Sequence, residues 1–214
     1  MSASEAPEGP DALHTPPSTP PQTPPVGGPP RRPTVRLMLS HPAHLLSFGG
    51  GSGLSPLMPG TVGTLWGWLV YAVLDDWWGR GPLADAYWAL LLAVGWLVGC
   101  WACTRTAQAL RVADPGSVVW DEVWAIWLVL WVASPLDWQG ELVAVLTFRV
   151  FDMVKMGPVG WADGLFKPRP GAPIGWRQGL GIMVDDLVAA GCALLLLALA
   201  VTWRDGSPAV GILG

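Results

Sequence analysis

The sequence predicts an all-α protein: a multi-pass membrane helical bundle of about five helices behind a disordered Pro-rich N-terminal tail. Three observations carry that prediction. Of the 214 residues, 51% are hydrophobic and only 13% charged, which is far more apolar than a soluble domain of this size. Apolar stretches of helical length recur from Met58 onward. Fifteen Trp against two Tyr and four Phe fit segments that end repeatedly at a lipid–water boundary, with some of these rings packing the interior.

The first element is a tail. Residues 1–33 hold eleven of the twenty-two prolines and almost no large apolar side chains, so they cannot bury enough surface to offset the entropy of ordering. The tail lacks the apolar core of a secretory signal peptide, which leaves the later helices to direct membrane insertion. It is expected to be dispensable for chemistry. The helical domain then covers 34–206, and 207–214 form a short C-terminal tail.

Five apolar segments follow, near 61–74, 85–103, 118–133, 140–155 and 182–203. The second and fifth reach the roughly 20 residues that cross about 30 Å of hydrocarbon. The other three are shorter, and a short charged segment is also what a buried core helix looks like. A compact bundle in which these three span with help from neighbours or from local thinning of the bilayer is the alternative.

Positive charge orients the bundle. With a cytoplasmic N terminus, Arg31, Arg32, Arg36, Arg105, Arg111, Lys167, Arg169 and Arg177 fall on the cytoplasmic side and only Arg80 and Arg204 outside, as the positive-inside rule requires. That topology uses no acidic residue, yet it brings five to one membrane face. Asp121 and Glu122 stand at the start of the third helix, Asp152 at the end of the fourth, and Asp185 and Asp186 at the start of the fifth. Intramembrane carboxylates mark function, and five together repel one another unless a cation or shared protons hold them. A divalent metal site is the first reading. Neighbours on a helix diverge by about 100°, so one member of each adjacent pair is placed to support the other.

Other residues read less sharply. Arg149, Asp152 and Lys155, spaced by three, share a helix face, either as a salt-bridge ladder or as cations beside a site. The span from His41 to Gly67 holds seven Gly and three Pro and feeds a helix N-terminus, so it is either a flexible connector or an anion cradle. His41 and His44 flank it, suited to capping and packing or to ligation and proton transfer. Asp114 and Ser117 read as turn and N-cap residues for the third helix. Cys100, Cys103 and Cys192 read as apolar filler. The net charge of −4 argues against a nucleic-acid partner.

Five blocks in order, HPAHLL, GSGLSPLMPGTVGT, DPGSVVWDE, FRVFDMVK and GIMVDD, resemble the bacterial phosphatidylglycerophosphatase A family from about His41 to Asp186. The chain departs from the family's pattern at Lys155-Met156, at Ala125, and in a longer stretch between Asp163 and Gly181. The resemblance implies a Mg²⁺-dependent phosphatase of the bacterial inner membrane that faces the cytoplasm and converts phosphatidylglycerophosphate to phosphatidylglycerol. It assigns the acidic positions to Asp121, Glu122, Asp152, Asp185 and Asp186. Arg149, Lys155, His41, His44, Gly51-Ser52-Gly53 and Pro59-Gly60-Thr61 stand beside them.

The mechanism this implies is metal-assisted hydrolysis of a phosphomonoester. The five carboxylates hold one or two Mg²⁺. Arg149, Lys155 and the loop residues Gly51, Ser52, Gly53 and Thr61, with His41, meet the phosphoryl group. An acidic residue or His44 serves as general base. A site just below the headgroup layer suits a phospholipid whose acyl chains stay in the bilayer. The rival is an ion-coupled transporter, which uses intramembrane acids as well, but with charges near the midplane and related sequence halves. Neither is seen here.

Overall fold

The computed structural model describes residues 28–154, 157–166 and 173–205. Lys155 and most of both expected tails lie outside the described residues. All regular structure among those described is helical: α1 (Val35–Leu39), α2 (Pro42–Ser47), a tight 3-10 stretch Gly49–Leu54, α3 (Pro59–Trp78), α4 (Pro82–Leu110), α5 (Trp120–Ala133), α6 (Trp138–Val154), α7 (Pro158–Phe166) and α8 (Trp176–Asp205).

The five expected segments correspond to α3, α4, α5, α6 and α8, while α1, α2 and α7 were not foreseen. They are too short to generate an apolar period, and packing rather than propensity holds such helices. α4 and α8 are long and apolar enough to cross a membrane, as expected of the second and fifth segments. Helix boundaries move outward, because helices continue through polar residues at which an apolar run stops. α3 has 20 residues, with Pro59 in its first turn. α8 begins at Trp176, so Asp185 and Asp186 stand about 15 Å into it, not at its start.

α5 is the hub. It packs against α2, α3, α4, α6 and α8, and buries Trp120, Val123, Trp124, Ala125, Ile126, Trp127, Val129 and Leu130. A helix apolar on all sides is a core helix, which decides how the short third segment is used. Glycines let the neighbours approach. A methyl at Gly63 of α3 would lie 2.7 Å from Val119 Cβ, and one at Gly67 2.8 Å from Ile126 Cγ2. Small residues four apart bring backbones together in the same way between membrane helices.

The indoles of α5 complete this packing. Trp120 Nε1 donates to Gly95 O at 3.0 Å, Trp124 Nε1 to Leu92 O at 2.8 Å and Trp127 Nε1 to Gly67 O at 2.8 Å. Each buried N–H is thereby satisfied on a neighbouring helix. These Trp are interior anchors, whereas Trp77, Trp161 and Trp203 are exposed. The start of α5 is set by tertiary contact. Its N-cap is Val119, which offers no side-chain cap. The Val119 N–H instead donates to Ser47 O of α2 at 2.8 Å. Ser117 is therefore not the N-cap expected of it; it sits in a turn in which Val118 N–H donates to Pro115 O at 2.9 Å.

Candidate active site

Asp121 and Glu122 occupy the first turn of α5, where the helix dipole favours negative charge. α8 crosses α5 and brings Asp186 to them. One carboxylate oxygen from each of Asp121, Glu122 and Asp186 lies within 4.8 Å of the other two. Asp121 Oδ1, Glu122 Oε2 and Asp186 Oδ2 are buried and accept no hydrogen bond. Buried carboxylate oxygens without donors are costly. The converging carboxylates form a hard all-oxygen donor set, which suits Mg²⁺ or Ca²⁺ and not a thiolate- or imidazole-seeking metal. The residues present fit such an ion.

Asp152 of α6 lies against Asp186 and within electrostatic reach of Glu122. Its carboxylate accepts from Arg149 Nη1 in an ion pair three residues apart, so the ladder reading holds for this pair. Arg149 also turns toward α3, where its Nη2 donates to Thr61 Oγ1 at 3.2 Å. Gly60 explains the closeness: any side chain there would collide with Glu122 Oε1 and press on Arg149 Nη2. Four helices thus meet at the acids. Asp185 is half-buried on α8 and stands outside the three-carboxylate group. Of the two acidic pairs, Asp121 and Glu122 both converge, whereas from Asp185-Asp186 only the second joins that group.

The remaining expected residues gather elsewhere. His41 Nδ1 accepts from Ala43 N–H at 3.1 Å and caps α2, and its ring lies 5.7 Å from that of Trp101. His44 is buried, with Nδ1 2.9 Å from Thr106 Oγ1 of α4. Burial, then the neighbouring charges of His41 and Arg105, hold its pKa below the usual histidine value. Ser52 Oγ donates to Gly49 O at 3.0 Å, and Gly51 has φ 119°. Gly53 packs so tightly on the Ser117 carbonyl that a side chain would collide with it. The glycine-rich stretch therefore braces the turn that launches α5, while Gly60 and Thr61, in the first turn of α3, are the residues that reach Glu122 and Arg149. Thr106 escaped the sequence reading, because nothing local marks a hydroxyl 62 positions from its histidine as a partner. The three cysteines are free, and Cys100 and Cys103 are buried.

The phosphatidylglycerophosphatase A family model matches residues 45–201. The phosphatidylglycerophosphatase A of Escherichia coli K12 is 37% identical over 154 residues, 72% of this chain and 80% of that protein. The Haemophilus influenzae enzyme of the same name is 33% identical over 171 residues, 80% of this chain and 96% of that one. A Bacteroides thetaiotaomicron protein, provisionally named a phosphatidylinositol-3-phosphatase, is 30% identical over 166 residues, 73% of this chain and 91% of that one. No solved structure matches the chain. The matched span holds Asp121, Glu122, Asp152, Asp185 and Asp186, and on that span the chain belongs to the phosphatidylglycerophosphatase A family.

Proposed function

We propose that the chain removes the terminal phosphate of phosphatidylglycerophosphate at the cytoplasmic face of the bacterial inner membrane, leaving phosphatidylglycerol. Membership of the family supports the reaction. The observation that carries the site is the convergence of Asp121, Glu122 and Asp186 within 4.8 Å, with oxygens that no protein donor meets. These relatives are phosphatases, and they offer no support for an ion-coupled transporter.

Asp121, Glu122 and Asp186 would hold Mg²⁺, with Asp152 and Asp185 flanking it. Bound there, Mg²⁺ supplies charge neutralisation at the phosphoryl oxygens and acidifies a water. The protein's own groups do the rest. Arg149, steered by Asp152 and Thr61, presents a guanidinium to the phosphoryl oxygens, where charge builds as the leaving alkoxide departs. A cluster carboxylate takes the proton of the attacking water. As the water oxygen bonds to phosphorus the P–O bond to glycerol breaks, and that carboxyl group returns the proton to the leaving alkoxide. His44 is bonded to Thr106 beside α4 and is placed to shape the cytoplasmic loop.

Several passes through the bilayer are supported by the apolar side chains that α3, α6 and α8 expose: Leu65, Leu69 and Val73; Val143, Leu146 and Val150; Leu195, Leu196 and Leu199. Such faces are stable in lipid and unfavourable in water. The test is phosphate release by the purified protein in detergent from phosphatidylglycerophosphate, with Mg²⁺ or with EDTA. Metal-dependent release is expected, at a higher rate than from phosphatidylinositol 3-phosphate or phosphatidic acid. No release under any condition would remove the reading.

A further inference from the structure

The bundle leaves a cleft of about 460 Å³ between α3 and α4. Its walls are Trp66 and Val70 on one side and Val98 and Trp101 on the other, and its floor is Trp120 and Trp127 of α5. Val98 and Trp101 lie on α4, which is long and apolar enough to cross a membrane, while Pro42, Leu45, Leu46, Gly49 and Gly50 line the cleft from α2 and the glycine-rich stretch. Water at such a surface finds almost no polar partner, which leaves hydrocarbon as the favourable filling. Size and lining are those of a ligand pocket rather than a packing defect.

The two ends differ in charge. Beyond Trp101, one helical turn on, stands the exposed Arg105, on the same face of α4 because residues four apart are neighbours. His41 packs its ring 5.7 Å from that of Trp101. The apolar cleft thus ends near one cation, Arg105, and the ring of His41, whose Nδ1 is already engaged as an acceptor, a pattern complementary to a lipid whose tail ends in a phosphodiester. The floor continues into chemistry, since Trp120 immediately precedes Asp121 and Glu122.

We infer that the cleft seats one acyl chain of the phospholipid substrate, with Arg105 and His41 meeting its bridging phosphodiester and the terminal monoester left free to reach the carboxylates. This rests on the proposed lipid phosphatase activity. It gives a use to the gap between α3 and α4, whose rings meet at Tyr71–Trp88 and Trp78–Trp88 while their backbones stay apart.

The full chain in phosphatidylcholine nanodiscs, doped with phosphatidylglycerol carrying a photoactivatable diazirine on one acyl chain, tests the site without turnover. Adducts should concentrate on the Trp66–Val70 and Val98–Trp101 segments relative to the lipid-facing Leu195–Leu199 segment, and Val98→Trp should reduce them. Even labelling of all exposed faces, or cross-links joining two copies of the chain through the cleft, would overturn the inference. Kinetics supply the second arm. Val98→Trp, or Val70→Phe should the first fail to fold, lowers the ratio of kcat/KM for long-chain over dihexanoyl phosphatidylglycerophosphate by about tenfold, the loss expected when roughly two methylenes are no longer buried. Leu195→Trp on α8 leaves that ratio unchanged, and an unchanged ratio in both cleft variants counts against the site. A wild-type protein that releases no phosphate yet labels in the cleft refutes the activity alone; one that turns over but labels evenly refutes the cleft alone.

Discussion

Asp185 and Asp186 are adjacent and chemically identical, yet only Asp186 joins Asp121 and Glu122. The sequence marked both as site residues; the packing of α8 on α5 turns Asp186 toward the acids and leaves Asp185, about 100° round the helix, outside them. Asp186→Asn should therefore lower kcat/KM by more than the roughly 10–100-fold typical of supporting residues, and Asp185→Asn by an amount within that range. A binding readout separates ligation from packing. Excess Mg²⁺ should stabilise the wild type, by about 2.7 kcal/mol at a hundred times its Kd, and leave the melting temperature of Asp186→Asn unmoved. Asp152→Asn, which releases Arg149, should cost about 10–100-fold in kcat/KM while Mg²⁺ still raises its melting temperature. His44 gives a pH signature. Its folded pKa lies below 6.5, so between that value and 6.5 the unfolded chain binds more protons and stability falls as pH falls. Its contribution is constant above 6.5. Melting curves in EDTA should show that decline in the wild type and a smaller one in His44→Asn.

At the level of elements, helix identity was legible wherever an apolar run was long, as in α4 and α8, and boundaries were not. Propensity did not place the start of α5; a carbonyl from α2 did, through Val119 N–H and Ser47 O. The same holds for the role of tryptophan. Composition divided the rings between the lipid boundary and the interior without saying which went where; Trp120, Trp124 and Trp127 turn inward to bond carbonyls of α3 and α4. Gly67 tests this contact, because a side chain there meets α5 backbone as well as Ile126. Gly67→Val should destabilise by about 1–3 kcal/mol through overpacking, read as a lowered midpoint in detergent unfolding. Trp127→Phe, which removes the indole N–H but keeps most of the ring, should cost only about 1 kcal/mol.

For the whole molecule, the excess of basic residues at one end predicts that reporter fusions near Arg111 report a cytoplasmic location and fusions near Arg80 the opposite side. Identical signals at both positions would contradict a spanning α4. Removing residues 1–27, whose composition cannot sustain a core, should leave kcat within about twofold of the full chain, given that changes away from packed or bonded groups have small effects. Composition, the five acidic positions and the ordered blocks were enough to establish from sequence a helical, apolar chain of this family, because hydrophobicity and residue chemistry are local properties. Three things belong to the tertiary structure alone: that α5 is a buried hub and not a peripheral span, that the histidines pair with α4 while Gly60 and Thr61 meet Glu122 and Arg149, and that α3 and α4 part to leave a cleft. Each depends on the angle at which helices cross and on which carbonyl or side chain lies opposite. Those contacts join residues tens of positions apart, and no periodicity within a single segment records them.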